Sequence, residues 1–177
     1  MTTFINAEAV TRTVLANCLT VLIYRNPAAP VVAVNTYVRA GYFDETDDVA
    51  GIAHVLEHMY FKGTATYGVG EIAKATKAAG GYLNAHTIYD HTSYYTVLPA
   101  AGFAEGLAIQ ADAFAHSSID AEELARELAV IIQEAKRKED APGAVSTESL
   151  YALMFDRHRM RRWRIGREDG LRKLTRD

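Results

Sequence analysis

Residues Gly51 to Thr64 read GIAHVLEHMYFKGT, and no other stretch limits the possible folds as strongly. Taken as a helix from about Ala50 to Phe61, it carries Ile52, Ala53, Val55, Leu56, Met59, Tyr60 and Phe61 around its whole circumference. That is the pattern of a helix buried on every side, so the rest of the chain must supply layers on each of its faces. Yet the same helix holds His54, Glu57 and His58. Four residues apart, the two imidazoles project from one face, one turn above the other, and Glu57, three after His54, joins them. A carboxylate buried beside two imidazoles is costly without a partner, and a divalent metal is the partner that two neutral histidines suit best. HVLEH therefore reads as a catalytic zinc helix, with His54 and His58 as ligands and Glu57 as the base that takes a proton from water. A hydrogen-bonded core pair that happens to share a helix is the plainer alternative.

A catalytic zinc wants a third protein ligand and an open position. On a helix from Ala121 to Glu139, Leu124, Leu128, Ile131 and Ala135 form the apolar stripe. Glu127 and Glu134, seven apart, fall together between Ile131 and Val130, inside an arc that is apolar on both flanks. An acid so placed is under-solvated unless something positive faces it. Glu134 is the economical third ligand, and Glu127 a second candidate catalytic carboxylate, behind the ligands or as an alternate acid. Two glutamates snorkelling at the border of the stripe are the bland reading. His86, Asp90 and His91 compete as third ligands from a hairpin tip, a poorer position for reaching a buried helix.

Around these two helices, Val10 to Tyr24 reads as two short strands about ANC, and VVAVNTYVRAG as a stronger third. Asp47 and Asp48 offer N-caps to the histidine helix, and Gly63 closes it. A second helix spans about Val69 to Ala79, stopped by Gly80 and Gly81. YLNAHTIYDHTSYYTVLP is a hairpin turning at Tyr89 to His91. Ala101 to His116 is a helix, Ser118 and Asp120 are capping candidates for the helix from Ala121, and a last helix lies near Ser146 to Phe155. Strands and helices come in runs without strict alternation, which predicts an α+β fold with a mostly antiparallel sheet packed against helices. With 177 residues, 49% of them apolar, and no linker-like stretch, a single domain over residues 1–177 is expected.

A net charge of −3 gives no reason to expect nucleic acid or an anionic membrane as partner. The basic run from Arg157 to Arg176 has acids interleaved and Trp163 as its sole aromatic, so a solvated or subunit-facing surface is expected. The lone Cys18 excludes an internal disulfide. No signal peptide or membrane-spanning segment is legible, which points to the cytoplasm, or to the periplasm if a leader was removed.

GIAHVLEHMYFKGT resembles the inverted zinc motif of the pitrilysin/insulinase metallopeptidases, a family that includes mitochondrial processing peptidases. The resemblance extends over nearly the whole chain. Members begin with an L-x-N-G-L-x-V strand, carry a Gly-Gly-x-x-Asn-Ala segment after the second helix, and take a third ligand from a glutamate some seventy-odd residues past the second histidine. Here stand VLANCLTVLI, GGYLNAHTIYDHTSYY, and Glu134, which lies 76 residues beyond His58. The resemblance implies one zinc ion, an endopeptidase acting on extended peptides, and one half of a clamshell. It also implies that substrate adds as a strand beside Leu83 to Thr87, with Asn84 and Ala85 against its backbone. The chain stops at LTRD, inside the first of the two halves a family subunit has, so a second half-domain or partner subunit is expected. Cys18 stands in place of a family glycine, implying a relaxed turn, and Arg159 and Trp163 replace prolines, implying a less rigid loop. Two rivals remain. GVGEIA, Gly68 to Ala73, followed by Asp90, matches a dinucleotide-binding string but needs a strand just before it. A non-catalytic interaction subunit would use the same fold without the chemistry.

Overall fold

The computed structural model describes residues 7–176. They fall into two units, divided after Val31. In the first, β1 (Val10–Val14) pairs antiparallel with β2 (Thr20–Tyr24), with Val10 opposite Tyr24 and Val14 opposite Thr20. The connecting turn is not relaxed. Cys18 has φ 68°, the left-handed conformation a glycine would take at no steric cost. Cys18→Gly is therefore expected to raise the stability of the chain by about 1 kcal/mol, read as a shift in urea midpoint at unchanged m-value.

The second unit, which takes in β3 (Val31–Val38) from its second residue onward, has a three-stranded sheet of β3, β4 (Tyr82–Thr87) and β5 (Thr92–Pro99) in the order β3-β5-β4. β4 and β5 pair antiparallel from Tyr82 opposite Val97 to Thr87 opposite Thr92, so the predicted hairpin is present. β5 is buried along most of its length, as a central strand must be. β4 alternates, with Tyr82, Asn84 and His86 outward and Leu83, Ala85 and Thr87 turned in, and among the described residues its far edge pairs with no strand. Helices α1 (Ile52–Met59), α2 (Glu71–Ala78), α3 (Phe103–His116), α4 (Ala121–Glu139), α5 (Pro142–Met154) and the short α6 (Glu168–Leu171) complete the unit.

α1 lies between two cores. On one side Val55 and Met59 pack with Leu124, Leu128, Ile131, Ile132 and Ala135 of α4 and with Ile165 and Leu171. Just past its C-terminal end, Tyr60 joins Ile72, Tyr94, Ile109 and Ala113. The helix is nonetheless not enclosed on all sides, because Leu56 is 47% exposed. Expected caps also shift. Asp47 and Asp48 lie in a separate 3-10 turn, and α1 starts one residue after Gly51 at φ 98°. There the buried Glu45 carboxylate accepts the N–H groups of Gly51 at 2.9 Å and Ala53 at 3.0 Å. A carboxylate at that end satisfies orphan donors and opposes the helix dipole, and a chain segment can deliver it from outside the usual N-cap position. At α4, Asp120 alone of the two candidates caps, accepting from Glu122 and Glu123. α5 begins at Pro142, earlier than expected, since Pro at the first helical position is favourable rather than disruptive.

The basic tail is only in part a solvated surface. The guanidinium of Arg162 donates to the carbonyls of Glu45 and Tyr42, both at 2.9 Å, and Arg161 pairs with Asp47. Arg159 donates to the Phe43 carbonyl. Several arginines thus clamp the loop that carries Glu45, and through it the start of α1. A run of charges read linearly gives no hint of carbonyl groups more than a hundred residues away.

Candidate metal centre

α1 and α4 pack against each other through their apolar stripes, and that packing brings their polar flanks face to face. His54 Nε2 lies 3.9 Å and His58 Nε2 4.0 Å from the same oxygen, Oε2 of Glu134. The two rings meet edge to face with centroids 4.7 Å apart. Among the described residues this trio is the one set of His, Cys, Asp or Glu side chains whose ligand atoms gather, all within 4.8 Å of one another. Two ligands of a tetrahedral zinc, each ~2.0–2.2 Å from the ion, lie roughly 3.3 Å apart, so modest side-chain rotation brings the trio to coordinating distance.

The protonation pattern fits a cation as well. Glu127 Oε2 sits 2.9 Å from His58 Nδ1. Because a carboxylate can only accept, Nδ1 must donate, and in the neutral ring that leaves the lone pair on Nε2, facing Glu134. The other Glu127 oxygen pairs with Lys62 Nζ at 2.5 Å. Desolvation pushes the Glu127 carboxyl up, but its bonds with Lys62 and His58 outweigh this and hold its pKa below the ordinary value. Glu134 is likewise desolvated, and its interactions with His54 and with Lys138, whose Nζ lies 3.2 Å from Oε1, keep its pKa low. His54 is pressed the other way: burial, then the neighbouring His58, lowers its pKa to about 4. Its Nδ1 is buried without a hydrogen-bond partner among the described residues. A ring kept neutral is what a metal ligand requires.

One consequence is measurable without metal. The folded-state pKa of His54 lies below its ordinary 6.5, so above that pH the fold incurs no penalty from it. As pH falls from about 6.5 toward 4, the unfolded chain takes up a proton that the folded chain refuses. His54 is expected to cost the metal-free protein about 3 kcal/mol over that window, and the depressed carboxyls of Glu127 and Glu134 extend the loss to lower pH, as followed by urea denaturation at stepped pH.

Glu57 points its carboxylate at the sheet, where Thr87 Oγ1 donates to Oε2 at 2.6 Å. Asn84 is exposed, and its side-chain oxygen accepts the N–H of Ala85 at 2.9 Å, so that N–H lies on the open edge of β4 and not in the ladder with β5. The competing ligands are elsewhere: His91 pairs with Asp90 at 2.8 Å, and His86 meets His91 edge to face with centroids 5.9 Å apart. Sequence reasoning missed Lys62, Thr87, Lys138 and Tyr42. Lys62 lies within the histidine motif and Lys138 one turn after Glu134, so helical spacing could have found both. Thr87 and Tyr42 carry no local signal. Burial and the nearby Glu57 push the Tyr42 phenol up. Tyr42, Thr87 and Lys138 also wall a cavity of about 240 Å³, shared with Glu148 and Arg164, which pair at 2.6 Å. The dinucleotide reading fails here, because a turn and not a strand precedes Gly68, and Glu71 already accepts the Gly68 N–H at 2.7 Å.

Residues 20–166 match the family model described as Insulinase (Peptidase family M16). The chain belongs to the insulinase family of peptidases. The resemblance drawn from HVLEH, the Asn84-Ala85 segment and the position of Glu134 is thereby borne out. The uncharacterized zinc protease YmxG of Bacillus subtilis is 34% identical over 161 residues, covering 91% of this chain and 39% of that protein. A probable mitochondrial-processing peptidase subunit beta of Arabidopsis thaliana is 31% identical, over 93% of this chain and 31% of its own length. Among solved structures, a protease from Helicobacter pylori superposes with a TM-score of 0.89 at 26% identity, covering 94% of this chain and 40% of that one. The first half of the periplasmic protease PqqL from Escherichia coli gives 0.86 at 25% identity, covering 95% of this chain and 38% of that one. The mixed helical and antiparallel architecture is that of an insulinase-family half, and the chain spans about 40% of the length of the bacterial zinc proteases it matches. Among the described residues no helix is long and apolar enough to cross a membrane.

Proposed function

We propose that this chain is the metal-bearing half of a zinc endopeptidase that hydrolyses peptide bonds in extended peptides, residues 1–177 acting as one half-subunit domain. The observation that carries the reading is the convergence of His54, His58 and Glu134, from two distant helices, on a common point. His54, His58 and Glu134 would hold one zinc ion, which when bound would supply Lewis-acid activation of a water and of the scissile carbonyl. Glu57 is the base: it takes the proton from the attacking water and passes it to the leaving amine. Glu127 does not touch substrate in this reading. It fixes the tautomer and tilt of His58, backed by Lys62. The open edge of β4, with Asn84 and Ala85, holds the peptide by main-chain hydrogen bonds, which tolerate varied side chains. The shortness of the match relative to the zinc-protease relatives favours a second half or partner subunit closing over that edge.

The alternative is a non-catalytic interaction subunit. A solved chain described as a peptidase M16 inactive domain, from Pseudomonas fluorescens, has the same fold at a TM-score of 0.87 and 18% identity, so the fold alone does not imply turnover. The complete ligand trio, with Glu57 on the same helix as the two histidines, favours the enzyme. Metal analysis discriminates: one equivalent of zinc per chain, removed by a chelator together with hydrolysis of an unstructured peptide and restored with it, is expected. A chain that takes up no stoichiometric zinc is the interaction subunit.

A further inference from the structure

Glu57 is held from the sheet. Thr87, the last residue of β4, is turned inward with Leu83 and Ala85, and it donates to Glu57 Oε2 at 2.6 Å. Its hydroxyl also lies 3.4 Å from that of Thr92, its partner across the hairpin. The direction of these bonds follows from proton counting. Thr92 spends its single hydrogen on the Ala40 carbonyl at 2.8 Å, so it has none to give Thr87. Thr87 gives its own to the Glu57 carboxylate, which can only accept, so the 3.4 Å contact between the two hydroxyls has no hydrogen left to share. Thr87 and Thr92 are 9% and 4% exposed, so water does not compete freely for either group.

We propose that Thr87 is a positioning residue for the reaction: it pins one oxygen of Glu57 and leaves the other to meet the attacking water, and it ties the base to the strand that receives the peptide. This rests on the assignment of Glu57 as base and of the β4 edge as substrate site. The geometry gives the tie a direction. Thr87 is two residues from Ala85 along one strand, so a peptide seated on the edge holds the same backbone from which Glu57 is anchored. A carboxylate on a helix with no such anchor samples several rotamers, and each non-productive one subtracts from the rate without weakening substrate binding.

The test uses three variants in the zinc-loaded protein with whatever second half its turnover requires. Thr87→Val is nearly the same shape, Thr87→Ser keeps the hydroxyl, and Glu57→Gln checks the base itself. Thr87→Val is expected to lower kcat about 10- to 100-fold, with KM and zinc affinity within about twofold of the parent, and Thr87→Ser to recover most of the loss. Full kcat in Thr87→Val overturns the proposal, and so does an equal loss in the serine and valine variants, since size and not the hydroxyl would then matter. Loss of zinc in Thr87→Val overturns it as well, making the residue a structural support of the metal centre. Failure of the underlying reading looks different: Glu57→Gln would retain full turnover, or the parent would show no zinc-dependent hydrolysis, whatever Thr87 does.

Discussion

Glu57→Gln is expected to leave zinc bound at one equivalent and to lower peptide turnover by roughly 10²- to 10⁴-fold, the usual worth of a positioned general base. The substitution removes proton affinity and little else. Glutamine keeps the length of the side chain, and its amide oxygen can still accept the Thr87 hydrogen, so the side chain stays where the carboxylate was. Among the described residues neither His54 nor His58 nor Glu134 is hydrogen-bonded to Glu57. The decisive comparison is zinc content against kcat in the same preparation. Turnover lost with zinc retained supports the base, zinc lost makes Glu57 a structural member of the site, and unchanged turnover moves the base elsewhere.

The second large effect is on the metal itself. Structural zinc sites are worth about 10–16 kcal/mol over four ligands, or about 3 kcal/mol each. Glu134→Gln, which replaces an anionic ligand by a weak neutral one, should therefore weaken zinc binding roughly a hundredfold or more in competition with a chelating dye. Of the three candidate ligands Glu127→Gln touches only His58, at its far nitrogen, besides losing the ion pair with Lys62, and should weaken zinc binding about 10-fold to at most 100-fold. The ranking is the test. A larger loss from Glu127→Gln than from Glu134→Gln would exchange the roles of the two glutamates.

How much of this was legible beforehand varies from residue to residue. His54, Glu57 and His58 were readable because helical periodicity is local: four residues apart means one face, whatever surrounds it. Glu127 and Glu134 were readable as a pair for the same reason, and their position beside an apolar stripe marked them as under-solvated. That Glu134 faces both imidazole Nε2 atoms while Glu127 turns to Nδ1 was not readable, because it depends on the packing of α1 against α4. Helical spacing made Lys62 and Lys138 available to inspection, although no single position announces a counter-charge. The burial of α1 was over-read, since hydrophobic residues around a helix do not say which of them a neighbour covers, and Leu56 is left open.

Long-range polar pairing lay beyond the sequence altogether. Glu45 capping α1, Arg162 gripping the loop that presents Glu45, and Thr87 anchoring Glu57 join residues whose separation along the chain carries no period. What the sequence by itself determined was the chemistry on offer: two imidazoles and a carboxylate on one helix face, two more acids on another, and strands able to form an edge. Only the tertiary structure decided which atoms meet. A hydrogen bond or a shared cation is set by differences of an ångström, and distances that small between distant residues are fixed by the packing of whole elements, which no local pattern encodes.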